Sequence, residues 1–151
     1  MTPPVELAVL YAENDLDDQL LAQMAHRDSG AANPLVLVSD GAEAIEYLRQ
    51  TGRHSDRRGS ARPGIVMLDL NMPGMGGLDA LRIIKADTEL RRIPVVILST
   101  STARVDIVAS YEAGANSYIV KPRTFSKLAD LFDRLCGYWF EIGALAPEVL
   151  S

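Results

Sequence analysis

Short apolar runs alternate with longer amphipathic segments along this chain, five times in succession. The run "IVML", residues 65–68, is apolar at every position, which is typical of a strand that is buried on both faces. Strands of this kind, each joined to the next through a helix, indicate a parallel sheet with helices on both sides. We therefore predict an α/β fold with a doubly wound five-stranded parallel sheet in the order 2-1-3-4-5, the commonest arrangement for five strands.

The periodicity also gives approximate bounds for each element. The predicted strands are residues 5–11, 35–38, 64–69, 94–99 and 117–120. The predicted helices are residues 16–27, 41–50, 77–85, 105–112 and 125–140. Asp15 and Thr124 are predicted to cap the first and the last helix. Within the first helix, Leu16, Leu20 and Met24 share one face, and we expect part of this stripe to pack in the core and its edge to meet a partner.

Composition excludes several classes of protein. A length of 151 residues with 48% hydrophobic and 23% charged residues predicts one soluble globular domain. No apolar run approaches the roughly 20 residues of a membrane helix, and a net charge of −5 gives no general affinity for nucleic acid. The single cysteine, Cys136, excludes an internal disulfide and suits a reducing compartment, so we expect a cytoplasmic protein.

Polar residues cluster where the predicted strands end. In a doubly wound sheet, ligands bind beyond the carboxyl ends of the strands, at the point where strand order reverses. The segment "YAENDLDD", residues 11–18, follows the first strand, and Asp69 ends the third. The same edge receives, from strands one, four and five, Glu13, Asn14, Asp15, Ser99, Thr100, Ser101, Lys121 and Pro122.

These residue types together support phosphoryl transfer to a carboxylate. Asp69 is the candidate nucleophile, and a hydroxyl at the end of strand four is a candidate donor to the phosphoryl oxygens. Lys121 supplies a positive charge to the same oxygens. Mg²⁺, which prefers oxygen ligands, would neutralise the carboxylates and the incoming group. Catalysis of this kind depends on positioning and electrostatic stabilisation, so no separate general base is required.

Three motifs give the chain a family resemblance. "LDLNMPGMGGLDAL", "IPVVILSTS" and "AGANSYIVKP" follow one another in an order and spacing that resemble the receiver domain of two-component response regulators, over nearly the whole chain. The resemblance implies a flavodoxin-like (βα)5 fold with Asp69 as phospho-acceptor. It implies that Lys121 pairs with the phosphate and that Ser99 is the switch hydroxyl, with Tyr118 changing rotamer in response.

The resemblance also implies a set of metal ligands. Glu13 and Asn14 occupy the positions of the family's acidic pair, and the backbone carbonyl of Asn71 joins Asp69 as a ligand. Asp15 is an additional candidate ligand. The bond between Lys121 and Pro122 is expected to be cis, a state that X–Pro bonds tolerate.

A narrower resemblance concerns the partners. The long loop "GRHSDRRGSARPG" and the tail "LCGYWFEIGALAP" are similar to those of stand-alone receivers that serve phytochrome histidine kinases. This implies a single-domain regulator that receives its phosphoryl group from a histidine kinase, a bacteriophytochrome, and signals through protein contacts or passes the group to a histidine phosphotransfer protein. Residues 1–141 would form the receiver domain and residues 142–151 a tail, with a homodimer formed through the fourth and fifth elements and this tail. Such a chain is not an enzyme beyond its own phosphorylation and dephosphorylation.

Asn14 leaves two interpretations open. An amide oxygen can bind Mg²⁺ but lacks the charge of a carboxylate. Either Glu13, Asp69 and Asp15 supply enough charge and metal binding is only weaker, or the chain is a phosphorylation-independent pseudo-receiver that acts as an interaction module. We favour the first interpretation, because Asp69, Ser99 and Lys121 are all present.

Two other classes of protein on related sheets fit less well. An aspartate-nucleophile phosphohydrolase would need a second acid two residues after Asp69, and that position is Asn71. A flavodoxin-type carrier would need a Ser/Thr/Gly-rich phosphate loop after the first strand. The acids of "YAENDLDD" would instead repel a phosphate.

Overall fold

Parallel strands form a single sheet in the computed structural model, which describes residues 7–147. Within that range the strands are β1 (Val9–Ala12), β2 (Leu35–Val38), β3 (Ile65–Leu68), β4 (Val95–Ser99) and β5 (Ser117–Val120). Their order is β2-β1-β3-β4-β5, and every pairing is parallel. The predicted doubly wound sheet and its strand order are confirmed.

The first four helices connect consecutive strands and the fifth follows β5, as predicted. They are α1 (Leu16–Ser29), α2 (Gly41–Arg49), α3 (Gly77–Ala86), α4 (Arg104–Glu112) and α5 (Phe125–Cys136). A 3₁₀ segment, Gly52–Arg57, follows α2, and a π-helical segment, Gly137–Ile142, follows α5. The predicted caps are confirmed, because the Asp15 side chain accepts a hydrogen bond from the Asp18 N–H and that of Thr124 accepts one from the Lys127 N–H.

Two element bounds differ from the prediction by more than two residues. Strand β1 begins at Val9, where pairing with both neighbours starts, whereas the prediction began it at residue 5. Residues 5 and 6 lie outside the described residues. Helix α5 ends at Cys136, four residues before the predicted end, because the backbone there changes to π-helical pairing.

Side chains of the strands alternate between the two faces of the sheet and form two apolar cores. One core lies against α2 and α3 and contains Leu10, Val66 and Ile97. The other lies against α1 and α5 and contains Tyr11, Met67 and Phe132. Since full burial of a large apolar side chain stabilises by about 1.5–3 kcal/mol, these two layers are the main source of stability. Burial also raises the pKa of the Cys136 thiol to about 11, so this cysteine is an inert core residue.

The predicted core stripe of α1 is solvent-exposed. Leu16, Leu20 and Met24 are 76%, 56% and 48% exposed. The buried residues of α1 are Ala22 and Ala25. Small side chains on that face let α1 lie close to the second core, and the larger apolar side chains then point away from it. The spacing of four identified a common face correctly, but the part of this face that was expected in the core is exposed as well.

The loop after α2 folds onto that helix. Arg53 Nε lies 2.8 Å from Glu46 Oε2, and His54 Nε2 lies 2.9 Å from Glu43 Oε2. The guanidinium of Arg57 stacks 3.8 Å from the ring centroid of Tyr47. The loop is therefore held against α2 by Glu43, Glu46 and Tyr47.

The segment after α5 turns back toward the amino-terminal ends of the strands. Trp139 and Phe140 pack against the second core, while Tyr138 is exposed. Phe140 and Leu145 cover Gly64, where a β-carbon would overlap the Phe140 ring. The predicted boundary between residues 141 and 142 falls within the π-helical segment and stays a prediction. Within residues 7–147, none of the helices combines the length and apolar character that a bilayer crossing needs.

Candidate functional site

Polar side chains gather at the carboxyl edge of the sheet because each follows or ends a strand. Glu13 comes after β1, Asp69 after β3 and Lys121 after β5, while Ser99 ends β4. Backbone hydrogen bonds continue the sheet through them: the Asp69 N–H donates to the Ala12 carbonyl at 3.1 Å, and the Lys121 N–H donates to the Ser99 carbonyl at 2.7 Å. The main chain of the site is therefore as firmly placed as the sheet itself.

The ammonium group of Lys121 joins three carboxylates. Its Nζ lies 2.7 Å from Glu13 Oε2, 3.0 Å from Asp69 Oδ2 and 3.3 Å from Asp18 Oδ2. The side chains of Lys121, Glu13 and Asp69 are only 12%, 2% and 10% exposed. Burial by itself lowers the pKa of Lys121, but the hydrogen bonds to Glu13 and Asp69 and the surrounding negative charge outweigh it. The pKa of Lys121 therefore stands above its ordinary value, and the group stays charged.

Glu13 is almost completely enclosed. Its Oε2 accepts from the Tyr11 hydroxyl at 3.3 Å as well as from Lys121, and its Oε1 accepts from the Asp15 N–H at 3.1 Å. Burial raises the pKa of Glu13, and the neighbouring Asp69 carboxylate raises it further, while the hydrogen bond from Lys121 opposes both. Burial likewise raises the pKa of Tyr11, so its phenol remains a proton donor to Glu13.

The segment after β3 fixes the Asp69 carboxylate. The Asn71 N–H donates to Asp69 Oδ1 at 3.2 Å, which leaves Oδ2 toward Lys121. Helix α3 begins directly behind, because Gly77 has no side chain: a β-carbon there would overlap the Asp69 carbonyl oxygen. The predicted nucleophile is thus held from both its backbone and its side chain.

Asn14 and Asp15, the remaining predicted metal ligands after β1, are both exposed. Asp15 Oδ1 accepts from the Asp18 N–H at 2.9 Å and so caps α1. One oxygen of the Asp15 carboxylate therefore already accepts a hydrogen bond from the first turn of α1.

The two predicted switch residues meet at Ser101. Ser99 is fully buried, and its Oγ accepts from the Ser101 N–H at 3.1 Å. The half-buried Tyr118 donates its hydroxyl to the Ser101 carbonyl at 2.8 Å. Both side chains thus contact the turn that leads from β4 into α4.

The predicted cis bond before Pro122 is wrong. No cis peptide bond occurs between residues 7 and 147. The trans form is favoured by about 0.5–1 kcal/mol even before proline. Here the Lys121 ammonium reaches Glu13 and Asp69 from a trans backbone.

Two members of the site, Tyr11 and Asp18, were not predicted from the sequence. Tyr11 lies two residues before Glu13 and so on the same side of the chain in an extended strand, a signal that the period of two contains. Asp18 lies in the first turn of α1 and pairs with Lys121, 103 positions away in sequence, and no local pattern reports such a contact.

The donors at this edge fit a hard divalent cation in kind and charge. In the described part of the chain, no group of three or more Asp, Glu, His or Cys side chains is arranged around a common metal position. At this edge the Lys121 ammonium lies between the carboxylates of Glu13, Asp69 and Asp18. These carboxylates outnumber the ammonium three to one, and carboxylate oxygens are the ligands that Mg²⁺ and Mn²⁺ prefer.

Comparison with known proteins gives a consistent result. Residues 17–133 match the family model described as response regulator receiver domain. Response regulator Rcp1 of Synechocystis sp. is 35% identical over 133 residues, which cover 88% of this chain and 88% of that protein.

Solved structures agree with the sequence match. The phosphorylated cyanobacterial phytochrome response regulator RcpA superposes with a TM-score of 0.84 at 36% identity, covering 95% of this chain and 100% of that one. The Mn²⁺-bound form of Rcp1 superposes with a TM-score of 0.80 at 33% identity, covering 93% of this chain and 99% of that one.

Proposed function

The chain belongs to the family of response regulator receiver domains, and we propose that it accepts a phosphoryl group on Asp69 from a histidine kinase. The observation that carries this proposal is the Asp69 carboxylate itself, nearly buried at the carboxyl edge of the sheet with Oδ2 3.0 Å from Lys121 Nζ. The chain is related to phytochrome response regulators. We extend that relation to the kinase, a phytochrome.

The proposed reaction is an in-line transfer. An oxygen of Asp69 attacks the phosphorus of a phosphohistidine, the P–N bond breaks, and its electron pair stays with the departing imidazole. Lys121 already lies within hydrogen-bond distance of the nucleophile and would donate to the phosphoryl oxygens, as would the hydroxyl of Ser99. Asp69 is kept in place by the Asn71 N–H throughout.

Glu13, Asp69 and the Asn71 carbonyl, with Asn14 or Asp15, are the groups that would hold Mg²⁺. The cation would neutralise the negative charge that two buried carboxylates and a phosphoryl group bring together. Rcp1, a relative of this chain, has been solved with Mn²⁺ bound.

Ser101 connects the site to the surface formed by α4 and β5. When Ser99 turns toward a phosphoryl oxygen, its bond with the Ser101 N–H is lost. The turn after β4 then shifts and takes with it the carbonyl that Tyr118 holds at 2.8 Å. Phosphorylation would thereby favour a second arrangement of α4 and β5, which is a shift of population between two states.

Apolar surface beside the site fits the proposed partners. Leu16, Leu20 and Met24 form an exposed stripe on α1, whose first turn also carries Asp18. A helix of the kinase or of a histidine phosphotransfer protein could lay its own apolar face along this stripe while its histidine approaches Asp69.

We expect a homodimer through α4 and β5. Val105, Val108 and Tyr111 of α4 and Val120 of β5 are exposed together with Tyr138 after α5. Sedimentation velocity with and without beryllofluoride, a phosphoryl mimic, measures this directly. A mass of two chains that falls to one in the Val105→Glu variant supports the proposal. A monomer under both conditions contradicts it.

Asn14 favours a second candidate function, the phosphorylation-independent pseudo-receiver. One experiment separates the two. The protein is incubated with acetyl phosphate and Mg²⁺, or with excess chelator, and its intact mass is read. We expect a gain of one phosphoryl group that requires the cation. No gain under any metal condition would contradict the proposed function and favour the pseudo-receiver.

A further inference from the structure

Asp18 brings a third carboxylate to the site from the first turn of α1. Its Oδ2 lies 3.3 Å from Lys121 Nζ, although the side chain is 46% exposed. The Asp15 carboxylate caps α1 through the Asp18 N–H itself, at 2.9 Å. The start of the helix therefore fixes the backbone from which Asp18 reaches Lys121.

The three carboxylates match the three N–H donors of one ammonium group. Glu13, Asp69 and Asp18 lie 2.7, 3.0 and 3.3 Å from Lys121 Nζ. With all four groups ionised, three negative charges and one positive charge leave a net charge of −2. One divalent cation neutralises that charge. Without Asp18, the net charge of Glu13, Asp69 and Lys121 is only −1.

The other residues of the segment after β1 supply less charge to the site. Asn14 carries an exposed, uncharged amide. Asp15 uses one carboxylate oxygen for the helix cap. Asp17 is exposed on the same helical turn as Asp18. Glu13 and Asp18 are thus the two acids of "YAENDLDD" whose carboxylates contact Lys121.

We propose that Asp18 supplies the carboxylate charge that Asn14 lacks, so that the cation affinity of the site depends on Asp18. The inference rests on the proposed function, because it requires a divalent cation beside Asp69. Asp18 acts as a positioning residue in two ways. Its carboxylate accepts the third hydrogen bond of the Lys121 ammonium, and it adds negative charge beside the cation. Loss of such a supporting group lowers metal affinity by about 10-fold to 100-fold.

The test is the affinity for Mn²⁺, read from the electron paramagnetic resonance signal of the free ion. Wild type, Asp18→Asn and Asp17→Asn are compared as full chains at equal ionic strength. Asp17→Asn is the matched control, because it removes the same charge from the same helical turn. We expect affinity to fall about 10-fold in Asp18→Asn and to change less than about 2-fold in Asp17→Asn, where an exposed charge is screened.

A rescue variant shows whether Asp18→Asn lowers the Mn²⁺ affinity by removing a negative charge or by disturbing the structure of the site. Asn14→Asp combined with Asp18→Asn returns one carboxylate to the segment, and we expect it to recover most of the lost affinity. Equal affinities in Asp18→Asn and Asp17→Asn, or no recovery in the double variant, overturn the inference and leave the proposed function standing. No Mn²⁺ binding by wild type overturns the inference together with the proposed cation dependence.

Discussion

The Asp69→Asn variant is expected to gain no phosphoryl group under conditions in which wild type gains one. The substitution replaces the nucleophilic carboxylate by a neutral amide. No other carboxylate in the described structure combines burial, a hydrogen bond from the Asn71 N–H and contact with Lys121. Intact mass after incubation with acetyl phosphate and Mg²⁺ measures the result. We expect a complete loss, the largest effect on function of any single change in this chain.

Asp79→Asn serves as the matched control. Asp79 lies on α3, ten residues after Asp69, and its exposed side chain pairs only loosely with Arg82 at 3.8 Å. This variant should gain the phosphoryl group as wild type does. Phosphoryl gain by Asp69→Asn equal to that of Asp79→Asn would mean that another residue is the acceptor, and peptide mapping would then locate it.

The Lys121→Met variant is expected to have the largest effect on stability. Methionine has a similar length but no charge, so Glu13 and Asp69 lose the ammonium that both contact. Removal of one partner from a buried ion pair typically costs about 3–5 kcal/mol, because the remaining charge is left uncompensated. Urea unfolding at neutral pH should show a decrease of about 3 kcal/mol in the free energy of unfolding.

The loss of stability in Lys121→Met should become smaller as the pH falls. The pKa of Glu13 is raised in the folded protein, chiefly by burial and then by Asp69, so the folded state binds a proton more tightly than the unfolded chain does. Without Lys121, the larger of the two hydrogen bonds that oppose these causes is lost. Acidification from about pH 8 to about pH 5 should therefore stabilise the variant relative to wild type, as Glu13 takes up a proton.

Lys127→Met is the control for this prediction. Lys127 is exposed on α5, and the same substitution there should change the free energy of unfolding by less than about 0.5 kcal/mol. A deficit in Lys121→Met that is equally small, or that grows on acidification, would show that the ammonium does not compensate Glu13 and Asp69.

The sequence determined the architecture because its evidence is local. Apolar runs such as residues 65–68 mark strands buried on both faces, and the structure places β3 at Ile65–Leu68. Once the elements and their order were known, the rules for parallel sheets placed Glu13, Asp69, Ser99 and Lys121 at one edge. All four residues lie at that edge. The helix caps Asp15 and Thr124 were also predicted from the sequence, since a cap depends on a few adjacent residues.

Only the tertiary structure decided which side of α1 faces the core and which side chains meet at Lys121. The stripe of Leu16, Leu20 and Met24 has the periodicity of a core face, yet the alanines opposite it allow the closer packing. Lys121 and Glu13 are 108 positions apart, and their contact depends on the stacking of five strands. Periodicity describes one element at a time, whereas burial and ion pairing depend on what the other elements place beside it.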